Sequence, residues 1–170
     1  MKRILIDKIE RDLQNLHYGL PWKYDATCFN FRPAKEQVHV SEIDSIKKKD
    51  VESLIIGCDL EDYSFISDMT NLKQLYIYSG QNITELDFVK NLVNLTQLFI
   101  ADSKVESVEG VVELLKKKAR IIDEDPNPGR RILRQIEAVC IETESEKVTE
   151  QELEAANPYF AEIIVKKPAK

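Results

Sequence analysis

Val51-Glu52-Ser53-Leu54-Ile55-Ile56, Leu72-Lys73-Gln74-Leu75-Tyr76-Ile77 and Leu95-Thr96-Gln97-Leu98-Phe99-Ile100 follow one template: an aliphatic residue, then Leu three places on and Ile five places on. Successive copies begin 21 and 23 residues apart. The Leu and Ile of each copy are two places apart, which puts them on the same side of a short strand. Between the copies, apolar residues recur at every third place: Leu60, Tyr63, Ile66 and Met69, then Ile83, Leu86, Val89 and Leu92, then Val105, Val108, Val111 and Leu114. Asp59, Asn82 and Ser103 stand at or near the polar turn after each strand. The period describes a coil of strand, polar turn and apolar return. One coil cannot bury its own apolar side, so stacking has to supply the core.

This pattern resembles the leucine-rich-repeat family, in its short form of about 22 residues per turn. The resemblance implies an α/β fold: a solenoid with a parallel sheet along its concave side, where Asn or a substitute satisfies backbone groups left free at each turn. The repeat domain is read as 35–170, clearest over 51–115 and irregular over 116–170. Upstream, Val38, Val40, Ile43 and Ile46 suggest a shortened coil. Downstream, Ala119-x-Ile121 suggests a strand, and Ile132, Leu133 and Ile136 a helical stretch. Ile136-x-x-Val139-x-Ile141 and Phe160-x-x-Ile163-x-Val165 repeat the template, with a helix capped near Thr149 between them. Residues 1–34 are read as an N-terminal cap of helix plus strand. Ile4, Ile6, Ile9, Leu13 and Leu16 lie near one helical face, and Trp22, Phe29 and Phe31 cover the first coil.

Composition bounds the function. The chain has 170 residues, enough for one domain with a core of its own. Its 24 Lys and Arg against 30 Asp and Glu give a net charge of −6, opposite to the basic footprint of a nucleic-acid binder. No apolar run approaches the ~18 residues of a membrane span. Asp7, Lys8, Glu10, Arg11 and Asp12 interrupt what would have to be a signal peptide's apolar region. Cys28, Cys58 and Cys140 are odd in number and widely spaced, and read as reduced thiols in a cytoplasmic protein. On that reading the sequons Asn82-Ile83-Thr84 and Asn94-Leu95-Thr96 stay unused.

No phosphate-binding, zinc-protease or nucleophile-elbow motif occurs in the sequence. His17 and His39 stand apart from any second histidine or cysteine at ligand spacing. The run Asp123 to Gly129 hints at a calcium loop, but the sixth and twelfth positions are Pro128 and Arg134, where glycine and glutamate are needed. A cysteine nucleophile needs a base or a positive environment, and the linear sequence supplies none. Lys47–Lys49 and Lys116–Lys118 read as solvated turns, and the glutamates from Glu142 to Glu154 as an acidic last coil. The expectation is therefore of no enzyme, no cofactor and no metal.

What the sequence offers instead is a surface. The residues between the inward pairs form a column: His39, Ile55, Tyr76, Phe99, Arg120, Cys140 and Ile164. Ile55, Tyr76, Tyr78 and Phe99 make an aromatic and aliphatic patch, with Gln74, Gln97 and Arg120 as its polar rim. An exposed patch of this kind marks an interaction site. The family resemblance implies a protein partner gripped on the concave face. The alternatives are a homodimer that buries the same patch and, less favoured, a cysteine-dependent enzyme.

Overall fold

The computed structural model describes residues 1–16, 33–127, 138–156 and 163–166. Its described strands are β1 (Lys2–Asp7), β2 (Glu36–His39), β3 (Val51–Ile56), β4 (Gln74–Ile77), β5 (Gln97–Ser103), β6 (Ala138–Thr143) and β7 (Ile163–Lys166). They form one sheet in the order β2-β1-β3-β4-β5-β6-β7, and every neighbouring pair is parallel. Among the described residues, two α-helices, α1 (Glu109–Glu124) and α2 (Glu150–Ala156), lie in the connections after β5 and β6.

The register is the one the repeat predicts. Leu54, Leu75, Leu98 and Val139 are aligned across β3 to β6, and so are Ile56, Ile77, Ile100 and Ile141. Both rows are buried in one continuous apolar core. The three-residue spacing between strands has a direct structural counterpart, because a 3₁₀ turn repeats every three residues. Ile66, Met69 and Leu72 each donate their N–H to the carbonyl three places earlier, at 2.9–3.1 Å. Val89, Leu92 and Leu95 do the same in the next turn. The apolar residue of each step therefore points to the same side, into the core.

Two side-chain ladders join successive turns. Asn71 Nδ2 donates to the Lys49 carbonyl at 2.8 Å and Asn94 Nδ2 to the Thr70 carbonyl at 2.9 Å. Lys118 takes the next rung: its Nζ donates to the Val93 and Leu95 carbonyls at 2.9 and 2.7 Å. The solvated reading of Lys118 is thus corrected, since the residue is buried and satisfies main-chain oxygens that would otherwise be orphaned. On the other flank, the Asp59 carboxylate accepts from the Asn82 main chain and side chain, and Asn82 Nδ2 also reaches the Leu60 carbonyl at 3.1 Å.

The chain departs from expectation at two places. The helix read through Ile4 and Leu16 is absent: Lys2–Asp7 is a strand, and 8–16 contain turns but no helix. Ile4, Leu5 and Ile6 are consecutive and all buried, which fits a strand covered on both faces and no one-sided helix. β1 lies between β2 and β3, inside the sheet. The strand read at Ala119 and Ile121 is also absent, because α1 runs through it. Val111, Leu114, Leu115 and Lys118 recur at helical spacing on its buried side. At the start of α1 the backbone of Gly110 presses on the preceding coil, so that a Cβ there would lie 2.2 Å from the Leu86 carbonyl oxygen.

The helix expected after Thr149 is present as α2, with a reciprocal cap. Glu152 N–H donates to Thr149 Oγ1, and Thr149 N–H donates to the Glu152 carboxylate at 3.0 Å. The same carboxylate accepts from Ser107 Oγ and from the Val108 N–H, tying α2 to the start of α1. Burial pushes the Glu152 carboxyl upward, but these three donors and the Thr149 hydroxyl outweigh it and hold the group below its ordinary value. A depressed folded-state pKa gives stability that is present above the unfolded value and is lost as pH falls through the folded one. Between about pH 5 and pH 3, the thermal midpoint should fall more steeply in the native chain than in Glu152→Gln. Parallel curves would show that Glu152 makes no such contribution.

Candidate functional site

The outward face of the sheet carries the column the sequence predicts, with changes at three places. Ile55, Tyr76, Phe99, Cys140 and Ile164 are aligned across five strands. Leu5 precedes them, paired in register with Ile55. Leu5 went unseen in the sequence because its segment was read as helix. His39 is opposite Asp7 on the edge strand, where its Nδ1 caps the following 3₁₀ turn by accepting from the Ser41 N–H. Arg120 leaves the column altogether, as an exposed residue of α1.

The larger correction concerns access. Ile55, Tyr76 and Phe99 are 0% exposed, within a second apolar cluster that also holds Leu5, Ala34, Ala101, Ala138 and Cys140. Leu13, Leu16 and Tyr78 pack against it, the Tyr78 ring 5.4 Å from that of Phe99. The patch exists, but it is not an open docking face. Two leucines of the segment after β1 pack against the same cluster. Of the expected rim, Gln74 and Gln97 are also buried. Gln74 Nε2 donates to Gln97 Oε1 at 3.2 Å, and the Tyr76 hydroxyl donates to the same oxygen.

The Cys58 thiol is not activated. Burial, followed by the negative charge of Asp7, pushes the Cys58 thiol up from its ordinary value and keeps it protonated. Cys140 is fully buried within the column, and Cys28 and His17 lie outside the described residues. Among the described residues, no group of three His, Cys, Asp or Glu is placed to hold a metal ion. No described helix is long and apolar enough to cross a membrane.

A cleft of about 440 Å³ opens on the opposite side of the sheet, between the coil after β3 and the coil after β4. The repeat builds it, since equivalent positions of two successive coils form its walls. Glu61 and Asp62 come from one coil, Glu85 and Asp87 from the next, and all four are exposed. The stacked rings of Tyr63 and Phe88, 5.9 Å apart, anchor the walls in the core. The Tyr63 hydroxyl donates to Asp59 and to the Ser79 carbonyl, fixing that ring. The main chain and hydroxyl of Ser64 both donate to the Asp62 carboxylate at 2.8 Å and hold it below the usual carboxylate range. Lys90 answers part of the charge, 3.8 Å from Asp87. Sequence reading missed this cleft, because Glu61, Asp62, Glu85 and Asp87 look like solvated turn residues until two coils are laid side by side.

No protein-family model matches the chain, and no curated protein is significantly similar to it.

Proposed function

We propose that this chain is a leucine-rich-repeat solenoid working as a non-enzymatic binding module, and that it takes a basic segment of a protein partner in the cleft between the coils after β3 and β4. The in-register Leu and Ile rows, the 3₁₀ returns and the Asn ladder support the family reading. The observation that carries the binding reading is the set of four exposed carboxylates, two from each of two successive coils, against one lysine in the same cleft. Clefts lined by one sign of charge attract and orient partners of the other sign, and charge complementarity gives specificity and association rate.

Glu61→Lys with Glu85→Lys tests it. Both residues are exposed, so the thermal stability should stay within about 0.5 kcal/mol. Capture of the partner from native lysate should be lost, and capture by the unaltered chain should weaken as salt rises. Undiminished capture by the charge-reversed chain would refute the reading.

A further inference from the structure

We infer that the partner carries two basic clusters, and that the second is seated in a groove between α1 and α2. The inference rests on the reading of the first cleft and extends it along the same side of the sheet, because α1 packs on the interior cluster as the 3₁₀ turns do. The groove has a volume of about 330 Å³. Val112 of α1 and Ala155 of α2 supply apolar lining, while Glu109, Glu113 and Lys116 line it from α1 and Glu152 from α2.

The chain leaves the charge of this groove unanswered. Glu109 and Glu113 are four places apart on α1, where like charges face each other and destabilise a helix. Lys117 stands four places after Glu113, where a lysine ordinarily offsets a glutamate. It is drawn elsewhere, since its Nζ donates at 2.6 Å to Oδ1 of Asn91, a residue lining the first cleft. Among the described residues, neither the Glu109 nor the Glu113 carboxylate has a hydrogen bond or an ion pair. Glu106, just before α1, is by contrast paired with Lys147 at 2.9 Å. Glu152 is engaged by Ser107, Val108 and Thr149, so the groove holds less free charge than the first cleft. It is the weaker seat of the two.

Between the two grooves the coils are closed against each other. Gly110 meets the Leu86 carbonyl too closely for any side chain, and the bond from Lys117 to Asn91 joins the same two coils. A partner that fills both grooves therefore crosses this seam on a linker. Packed helices lie ~8–10 Å apart, so two coil widths separate the grooves by roughly 16–20 Å. A flexible linker of about ten residues spans ~18 Å. Tethering then turns the second contact into an intramolecular one at an effective concentration of about millimolar, which is what a weak seat needs.

Two synthetic peptides test this by amide-shift titration of the intact ¹⁵N-labelled chain: a single tetralysine block, and two such blocks joined by a glycine–serine linker of about ten residues. The single block should shift the first cleft. The double block should also shift Glu109 and Glu113 and bind at least about tenfold more tightly, beyond the roughly twofold gain from carrying two blocks. Glu109→Gln with Glu113→Gln should return the double block to about the affinity of the single one. Lys116→Glu, which adds negative charge, should widen the advantage and serves if the double variant folds poorly. Equal affinity of the two peptides, or an advantage that survives Glu109→Gln with Glu113→Gln or is unmoved by Lys116→Glu, would overturn the second seat and leave the first cleft standing. A single block that leaves Glu61 and Glu85 unshifted would instead overturn the first cleft, and this inference with it.

Discussion

Removal of residues 1–34 is expected to abolish cooperative folding. The expectation rests on β1, which pairs in parallel with β2 on one side and β3 on the other. Ile4, Leu5 and Ile6 are each at most 1% exposed, and burial of one such side chain contributes ~1.5–3 kcal/mol. Three of them amount to roughly 5–9 kcal/mol, comparable with the ~5–15 kcal/mol net stability of a whole domain. The truncation also strips β3 of its neighbour, leaving an apolar strand edge exposed and removing Ile4 and Ile6 from beside Leu54 and Ile56. Thermal and urea unfolding of the truncated chain should show a broad, non-cooperative transition or aggregation. A soluble chain with a single sharp transition would mean that the segment is an appendage and that β1 is not part of the sheet.

The second large effect is expected at Leu75→Ala. Leu75 is fully buried in the Leu54–Leu75–Leu98 row, held on both sides by strands whose own side chains cannot collapse into the gap. A large-to-small change at such a site costs ~2–5 kcal/mol, read as a lower urea midpoint at unchanged slope. A loss below about 0.5 kcal/mol is what a surface position gives, and it would place Leu75 outside the core and break the register argument.

These two positions differ in how far the sequence exposed them. Leu75 was legible because the repeat states its position three times, and a period-2 pair inside a 21- to 23-residue period has few alternative readings. The 3₁₀ returns were legible for the same reason, from residues at threes such as Tyr63, Ile66 and Met69. β1 was not, because Ile4 and Ile6 satisfy a helical stripe and a strand equally well when Leu5 between them is ignored. It is burial on both faces, a property of where the strand is inserted, that decides between the two. The end of the repeat was obscured similarly: from Glu109 the three-residue spacing runs into the 3.6-residue spacing of α1, and Ala119 and Ile121 follow the helix.

The site was legible in register but not in access. Tyr76 and Phe99 align as the spacing predicts, yet no periodicity tells that they are buried in a cluster against which Leu13 and Leu16 pack, since that packing joins segments with no common pattern. The carboxylates of the cleft were each visible, but their meeting depends on the lateral packing of two coils. Lys118 shows the same limit in a structural role, where a residue within a lysine run becomes a buried cap for the carbonyls of Val93 and Leu95.

The proposed activity is tested most directly by titrating the uniformly ¹⁵N-labelled chain with a short lysine-rich peptide and mapping the amide shifts at low and high salt. Shifts concentrated at Glu61, Asp62, Ser64, Glu85 and Asp87, saturating at low salt and weakening strongly on addition of salt, are the predicted result. Shifts that are absent there, or that spread evenly over every acidic surface of the chain including Glu142 to Glu154, would contradict a basic-segment site in the cleft.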